Sequence, residues 1–134
     1  MKVFITASFK EGRNKEGIEK LCRVVKNAGF EDFCFIRDVE NYQKIFNNPR
    51  ELMNRAKKEI LDSDVLLFDA TEKSTGRAIE LGIAFANGKK IITIMKEGTV
   101  IKDTLKGASD VIVSYNKIED IEDQLKCTYQ EWSK

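Results

Sequence analysis

Short β-branched or aromatic runs alternate with longer segments of helical period, and this pattern predicts an α/β domain built on a five-stranded parallel sheet. Two observations carry the prediction. The first run, Val3-Phe4-Ile5-Thr6, is continuously apolar, as a central strand covered on both faces must be. Every later run of this kind is separated from the next by a stretch long enough for a crossover helix, with no linker, repeat or low-complexity tract. A single domain over residues 1–134 is therefore expected.

A helix over Lys15 to Ala28 follows the first strand, since Ile18, Leu21, Cys22 and Val25 fall at i, i+3, i+4 and i+7 and Gly29 can end it. Phe33 to Ile36 reads as the second strand. Residues 37–48 read as irregular, with Tyr42 and Phe46 four apart at the spacing of a short helix. At Asn48-Pro49-Arg50-Glu51 the pattern is that of a helix start: Asn as N-cap, Pro at the first position, and Glu placed to close a capping box. This helix should reach Asp62, with Leu52, Ala56 and Ile60 inward and Lys57, Lys58 and Glu59 toward water. Val65 to Phe68 is a buried third strand ending at Asp69. Gly76 to Asn87 is a helix stopped by Gly88, and Ile91 to Ile94 the fourth strand. A short helix at Ile101 to Leu105, a fifth strand at Val111 to Val113 and a polar helix from Ile118 complete the chain.

Right-handed crossovers cover both faces of such a sheet when the strand order is 2-1-3-4-5, a flavodoxin-like, Rossmann-like three-layer arrangement. The winding then reverses between strands 1 and 3, and ligands bind beyond the strand ends at such a point. Two segments are thereby brought together: Ser8 to Arg13 and Asp69 to Glu80.

Composition removes several function classes. The chain has 134 residues, 23 Lys plus Arg against 22 Asp plus Glu, and no histidine. Without imidazole there is no Ser-His-Asp or Cys-His relay and no His-ligated metal, so carboxylates, Lys, Tyr, Ser or Cys must carry any catalysis. Cys22, Cys34 and Cys127 are odd in number and widely spaced, which disfavours a disulfide framework or zinc knuckle and fits inert thiols in a reducing cytoplasm. Balanced charge argues against a nucleic-acid surface. No apolar stretch approaches the ~18 residues of a membrane span, and the opening run lacks the marks of a secretory leader. No metal and no cofactor is expected.

Glu80 is the most informative position, the single carboxylate in the stretch AIELGIAFA. A charge passing near packed surface is costly unless it is paired or used. It is either functional or a first-turn complement to the helix dipole, and with Arg77 three residues earlier no Ser/Thr capping box accounts for it. Gly82, which costs ~1 kcal/mol against Ala in a helix, signals either close approach of a neighbour or plain packing. The turn Ser74-Thr75-Gly76-Arg77 and the facing Ser8-Phe9-Lys10-Glu11-Gly12-Arg13 each offer hydroxyls, flexible backbone and a cation, a kit that grips a phosphate or merely caps a helix. Neither is a Walker A loop or a dinucleotide fingerprint.

The stretch DVLLFDATEKSTGRAIELGIAFANGKKIITI, Asp64 to Ile94, resembles the nucleoside 2-deoxyribosyltransferase family, in particular its small branch of 2′-deoxynucleoside 5′-monophosphate N-hydrolases, and KVFITASFKEG, Lys2 to Gly12, resembles that family's first strand and phosphate loop. The resemblance implies that Glu80 is a nucleophile forming a glycosyl ester at the anomeric carbon, which water or a second base then resolves. It implies phosphate or sugar contacts from Ser8, Lys10, Gly12, Arg13, Ser74 and Gly76; Arg77 stands where the family usually has a small or apolar residue, and adds positive charge and bulk beside the sugar site as a further candidate contact. Ser74 stands six residues before Glu80, where members acting on unphosphorylated nucleosides carry Asp; a hydroxyl donates to a phosphate that a carboxylate would repel, so a 5′-monophosphate is the expected substrate. Where the family carries an Asp that helps protonate the leaving base, this chain has Ala56, and Asn54 or Asp69 is the candidate replacement. Asp38 falls in the region that lines the base pocket, and Tyr42 or Phe46 either stacks on a base there or fills the core. The resemblance further implies a homodimer or higher oligomer with a shared site, to which Lys102 contributes across the interface unless it is an ordinary solvated lysine. The expected partner is a small nucleotide or nucleoside. A nucleotide- or NAD-fragment-sensing domain of the same fold is the alternative. A phosphoacceptor domain using Asp69 is disfavoured, because no acidic pair follows the first strand.

Overall fold

The computed structural model describes residues 1–8, 10 and 14–134. Strand β1 (Lys2–Ile5) lies between β2 (Glu31–Cys34) and β3 (Val65–Asp69), followed by β4 (Lys90–Lys96) and β5 (Val111–Tyr115), in the order 2-1-3-4-5 and parallel throughout. Val3 pairs with Val65 and Ile5 with Leu67, which places the ends of β1 and β3 level at the switch point. The predicted topology is therefore observed.

Side-chain alternation along the strands divides the core in two. Val3, Ile5, Leu67, Ile92 and Ile94 pack against α1 (Lys15–Asn27) and α6 (Glu122–Trp132) through Ile18, Leu21, Val25 and Leu125. Phe4, Leu66, Phe68 and Ile91 pack against α3 (Pro49–Leu61) and α4 (Thr75–Ala86) through Ala56, Ile60 and Ala84. At the end of α1, Gly29 has φ +115°, and a Cβ there would meet the Tyr129 ring at 2.8 Å, so this position requires glycine.

Several expected elements shift. The second strand ends at Cys34 rather than Ile36, because its partner β1 ends at Ile5, opposite Cys34. Residues Phe35–Asp38 instead wind into a single helical turn, α2. Asp38 Oδ2 accepts the Cys34 backbone N–H at 2.9 Å, and the Arg37 guanidinium spans Asp32 and Asp38 at 2.9 and 2.7 Å. Helix α3 begins at Pro49 as expected, but Asn48 Oδ1 accepts from the Arg50 N–H at 2.8 Å rather than from that of Glu51. Glu59 does not face water: it is 9% exposed and pairs with Arg55 at 3.0 Å and Lys2 at 3.9 Å. The fourth crossover carries α5 at Asp103–Ala108, and a 3₁₀ turn, Ile118–Ile121, precedes α6.

Tyr42 and Phe46 both serve the core. Tyr42 donates to Glu19 at 2.6 Å and packs on the α1 side, while Phe46 stacks on Phe35 with ring centroids 6.0 Å apart. Cys22 and Cys34 are buried and Cys127 is exposed, all three as free thiols. Among the described residues no helix is long and apolar enough to cross a membrane.

Candidate active site

The two turns predicted to meet do meet. Beyond β1, Thr6 donates its backbone N–H to the Leu67 carbonyl at 3.0 Å, carrying the chain across the end of β3. Ser8 Oγ then donates to Ser74 Oγ at 3.3 Å, and Asn14 Nδ2 holds the Ser8 carbonyl at 2.7 Å. Ser74 is the N-cap of α4, its hydroxyl accepting the Arg77 N–H at 3.4 Å. Two hydroxyls thus stand together at a helix start with free N–H groups, which is where an anionic group is favoured.

A cleft of about 320 Å³ opens from this point between α3 and α4. Ser8, Ser74, Gly76 and Arg77 form its polar end; Phe35, Leu52 and Ala56 form apolar wall, and Glu80 and Glu40 supply carboxyl groups. Glu80 lies in the second turn of α4, whose first turn holds no acid, so complementing the dipole does not account for it. Among the described residues it has no hydrogen bond or ion pair. Burial pushes its carboxyl up from the ordinary 4.5 to about 8, with Cys34 and Glu40 adding to the rise and the Arg77 guanidinium opposing it.

Glu40 escaped the sequence reading. It follows α2, lines the same cleft, and burial raises its carboxyl as well. Asn41 and Tyr42, directly after it, both have left-handed backbone, at φ 49° and 59°. Such conformations cost ~1 kcal/mol or more per residue and collect at functional positions. The Tyr42–Glu19 bond and the Tyr42 N–H to the Ile36 carbonyl at 2.8 Å hold this turn. Its only sequence signal was a carboxylate two residues beyond Asp38.

Other selected residues fall elsewhere. Asp38 is exposed and engaged with Arg37 and the Cys34 N–H, so it does not line the cleft. Asn54 is exposed and likewise outside it. The structure does not bring Asp69 to Glu80: it lines a neighbouring cavity, where its carboxylate accepts from Tyr115 Oη at 2.5 Å and the Thr71 N–H at 2.9 Å. Arg77 lines both cavities and is tied to the Asp69 and Glu72 carbonyls at 3.0 and 2.9 Å, its buried Nε without a partner among the described residues. Lys10 borders the neighbouring cavity and pairs with Glu72 at 2.8 Å. Gly12 and Arg13 lie outside the described residues. Lys102 is exposed at the start of α5 and lines neither cavity.

Helix α4 is more open than its composition suggests. Ala84 alone among its described residues is buried, Ile79 and Phe85 are 48% and 58% exposed, and a Cβ on Gly82 would meet nothing within 4 Å. Gly82 therefore marks no close approach within the chain.

Fold and site together define a flavodoxin-like domain with a cleft at its switch point, and in that cleft a carboxyl group with no hydrogen bond or ion pair among the described residues. No family model and no curated protein matches the sequence. Among solved structures, the CMP N-glycosidase BcmB of Clostridium botulinum is 26% identical with a TM-score of 0.68, covering 94% of this chain and 99% of that one. A 2-deoxyribosyltransferase of Bacillus psychrosaccharolyticus is 18% identical with a TM-score of 0.66, covering 92% and 91%. A conserved protein of Enterococcus faecalis shares the fold at 12% identity and a TM-score of 0.71, covering 96% and 98%. The first of these is a nucleotide N-glycosidase and the second a 2-deoxyribosyltransferase, and this chain is similar to both over nearly its whole length.

Proposed function

We propose that the chain cleaves, or transfers at, the N-glycosidic bond of a nucleoside 5′-monophosphate, with Glu80 as the nucleophile. The resemblance implies a 2′-deoxy sugar, whereas the Clostridium botulinum neighbour is named for the ribonucleotide CMP, so both sugars belong in the assay. The observation that carries the reading is a carboxyl group, unpartnered among the described residues, in a cleft one end of which is built from two hydroxyl-bearing turns.

The phosphate sits against Ser8, Ser74 and Gly76, with Arg77 and Lys10 supplying positive charge and the start of α4 supplying N–H groups. This places the anomeric carbon over Glu80 and the base toward Phe35 and Leu52. Ionised Glu80 attacks that carbon as the bond to the base breaks, and the electron pair leaves with the base nitrogen. Ala56, 3% exposed on the cleft wall, supplies no acid. Glu40 takes that part, giving its proton to the departing base. Water then attacks the anomeric carbon as its bond to the Glu80 oxygen breaks, the water's proton passes to Glu40, and Glu80 leaves as a carboxylate with free sugar phosphate. A second base in place of water makes the same cycle a transfer. Two carboxyl groups in one cleft titrate as a pair, and the productive form carries the proton on Glu40.

The exposed apolar residues of α4 support assembly with further copies, in which Lys102 reaches a neighbour's phosphate. The test is release of free base from CMP, dCMP, dGMP and the corresponding nucleosides, followed by chromatography. Wild-type protein should release base from a monophosphate, and Glu80→Ala should lose turnover while still binding it. Parent-level turnover in the variant would remove Glu80 from its role. Nucleotide sensing without turnover is the second reading, favoured by Ala56 where the family carries Asp; binding with no base released would establish it.

A further inference from the structure

The cavity bordering the Glu80 cleft, about 730 Å³, is more than twice its size. The two meet at Ala7, Ser8 and Arg77, the end of the cleft where the 5′-phosphate is placed. Its wall carries Lys10, Lys20, Lys96 and Lys117. Its carboxylates are already engaged: Glu72 with Lys10 at 2.8 Å, Glu119 with Lys20 at 3.1 Å, and Asp69 with Tyr115 and Thr71. Lys96 and Lys117 form no ion pair among the described residues, and both are exposed. Positive charge is thus left over on the far side of the phosphate position, in a space that a monophosphate does not fill.

We infer that this cavity receives a second phosphoryl group, so that the site takes nucleoside 5′-diphosphates, with Lys96 and Lys117 binding the terminal phosphate. The inference rests on the proposed placement of the 5′-phosphate at Ser8 and Ser74. A phosphoryl group linked there projects past Ser8 and Arg77, toward Lys96 at the end of β4 and Lys117 two residues beyond β5; Glu72 lies near Lys96 but is paired with Lys10. The glycosidic chemistry is unchanged, since nothing at Glu80 or Glu40 is involved.

Calorimetric titration of the full chain with the pairs CMP/CDP and dGMP/dGDP tests this, alongside the variant Lys96→Ala/Lys117→Ala. For a base that binds, the diphosphate should bind about tenfold tighter than the monophosphate, roughly 1.4 kcal/mol. The double substitution should erase that gain and leave monophosphate affinity within twofold, which also shows that the variant is folded. A diphosphate weaker than its monophosphate, or a variant that weakens both alike, overturns the inference while leaving the monophosphate reading intact. Failure of every nucleotide to bind overturns both.

Discussion

Glu80→Gln should stabilise the protein, and by an amount that grows with pH. Burial raises the carboxyl from 4.5 to about 8, so between those values the folded chain keeps a proton that the unfolded chain has released. Stability therefore falls as pH rises through that window, by about 1.4 kcal/mol per unit of difference between the two states. The penalty is about 1 kcal/mol at pH 5, about 3 kcal/mol at pH 7, and levels off near 5 kcal/mol above pH 9. Glutamine resembles the protonated acid in shape and never ionises, so it escapes this penalty. Urea unfolding of both proteins at pH 5, 7 and 9 measures it directly. The predicted result is a lead for the variant of about 1 kcal/mol at pH 5 that widens to about 5 kcal/mol at pH 9. A gap independent of pH, or a variant less stable at pH 7, would refute the argument that Glu80 sits uncompensated in a poorly solvated cleft. The same desolvation that weakens the fold makes the ionised carboxylate a better nucleophile.

Three further outcomes follow from the site. Ser74→Asp should weaken a monophosphate at least tenfold relative to its nucleoside while preserving the helix start, because Asp is an equally good N-cap; an unchanged preference in a competition assay contradicts the phosphate placement. Glu40→Gln should lower base release from an ordinary nucleotide about 100-fold, but much less from an N7-methylated purine nucleotide, whose base departs without protonation. Equal losses on both substrates would deny Glu40 the acid role. Gly82→Ala should raise stability by about 0.5–1 kcal/mol, since its Cβ enters open space on a helix; a lowered urea midpoint would count against that account.

What the sequence revealed and what it concealed divide along a physical line. Strand order, the meeting of Ser8 with Ser74, and the prominence of Glu80 all follow from long-range rules: hydrophobic period, crossover handedness, and the cost of a charge on an apolar helix. Local direction was harder. Whether Asp38 or Glu40 reaches the cleft depends on one helical turn that forms only because β1 stops at Ile5. Asp69 ends the expected strand, yet it faces the neighbouring cavity, where Tyr115 and Thr71 satisfy it. Glu59 reads as a surface residue in a charged run until Lys2, far away in sequence, arrives beside it. Each of these turns on a partner that no local pattern names.

The central claim is a covalent bond between Glu80 and the sugar. Mixing the protein with a nucleoside monophosphate that it turns over, quenching in acid within one turnover, and mapping peptides by mass spectrometry tests it most directly. A pentose 5-phosphate ester on Glu80, absent from the Glu80→Gln variant, is the predicted result. Base release without any adduct on that peptide, at a rate the variant shares, would contradict it.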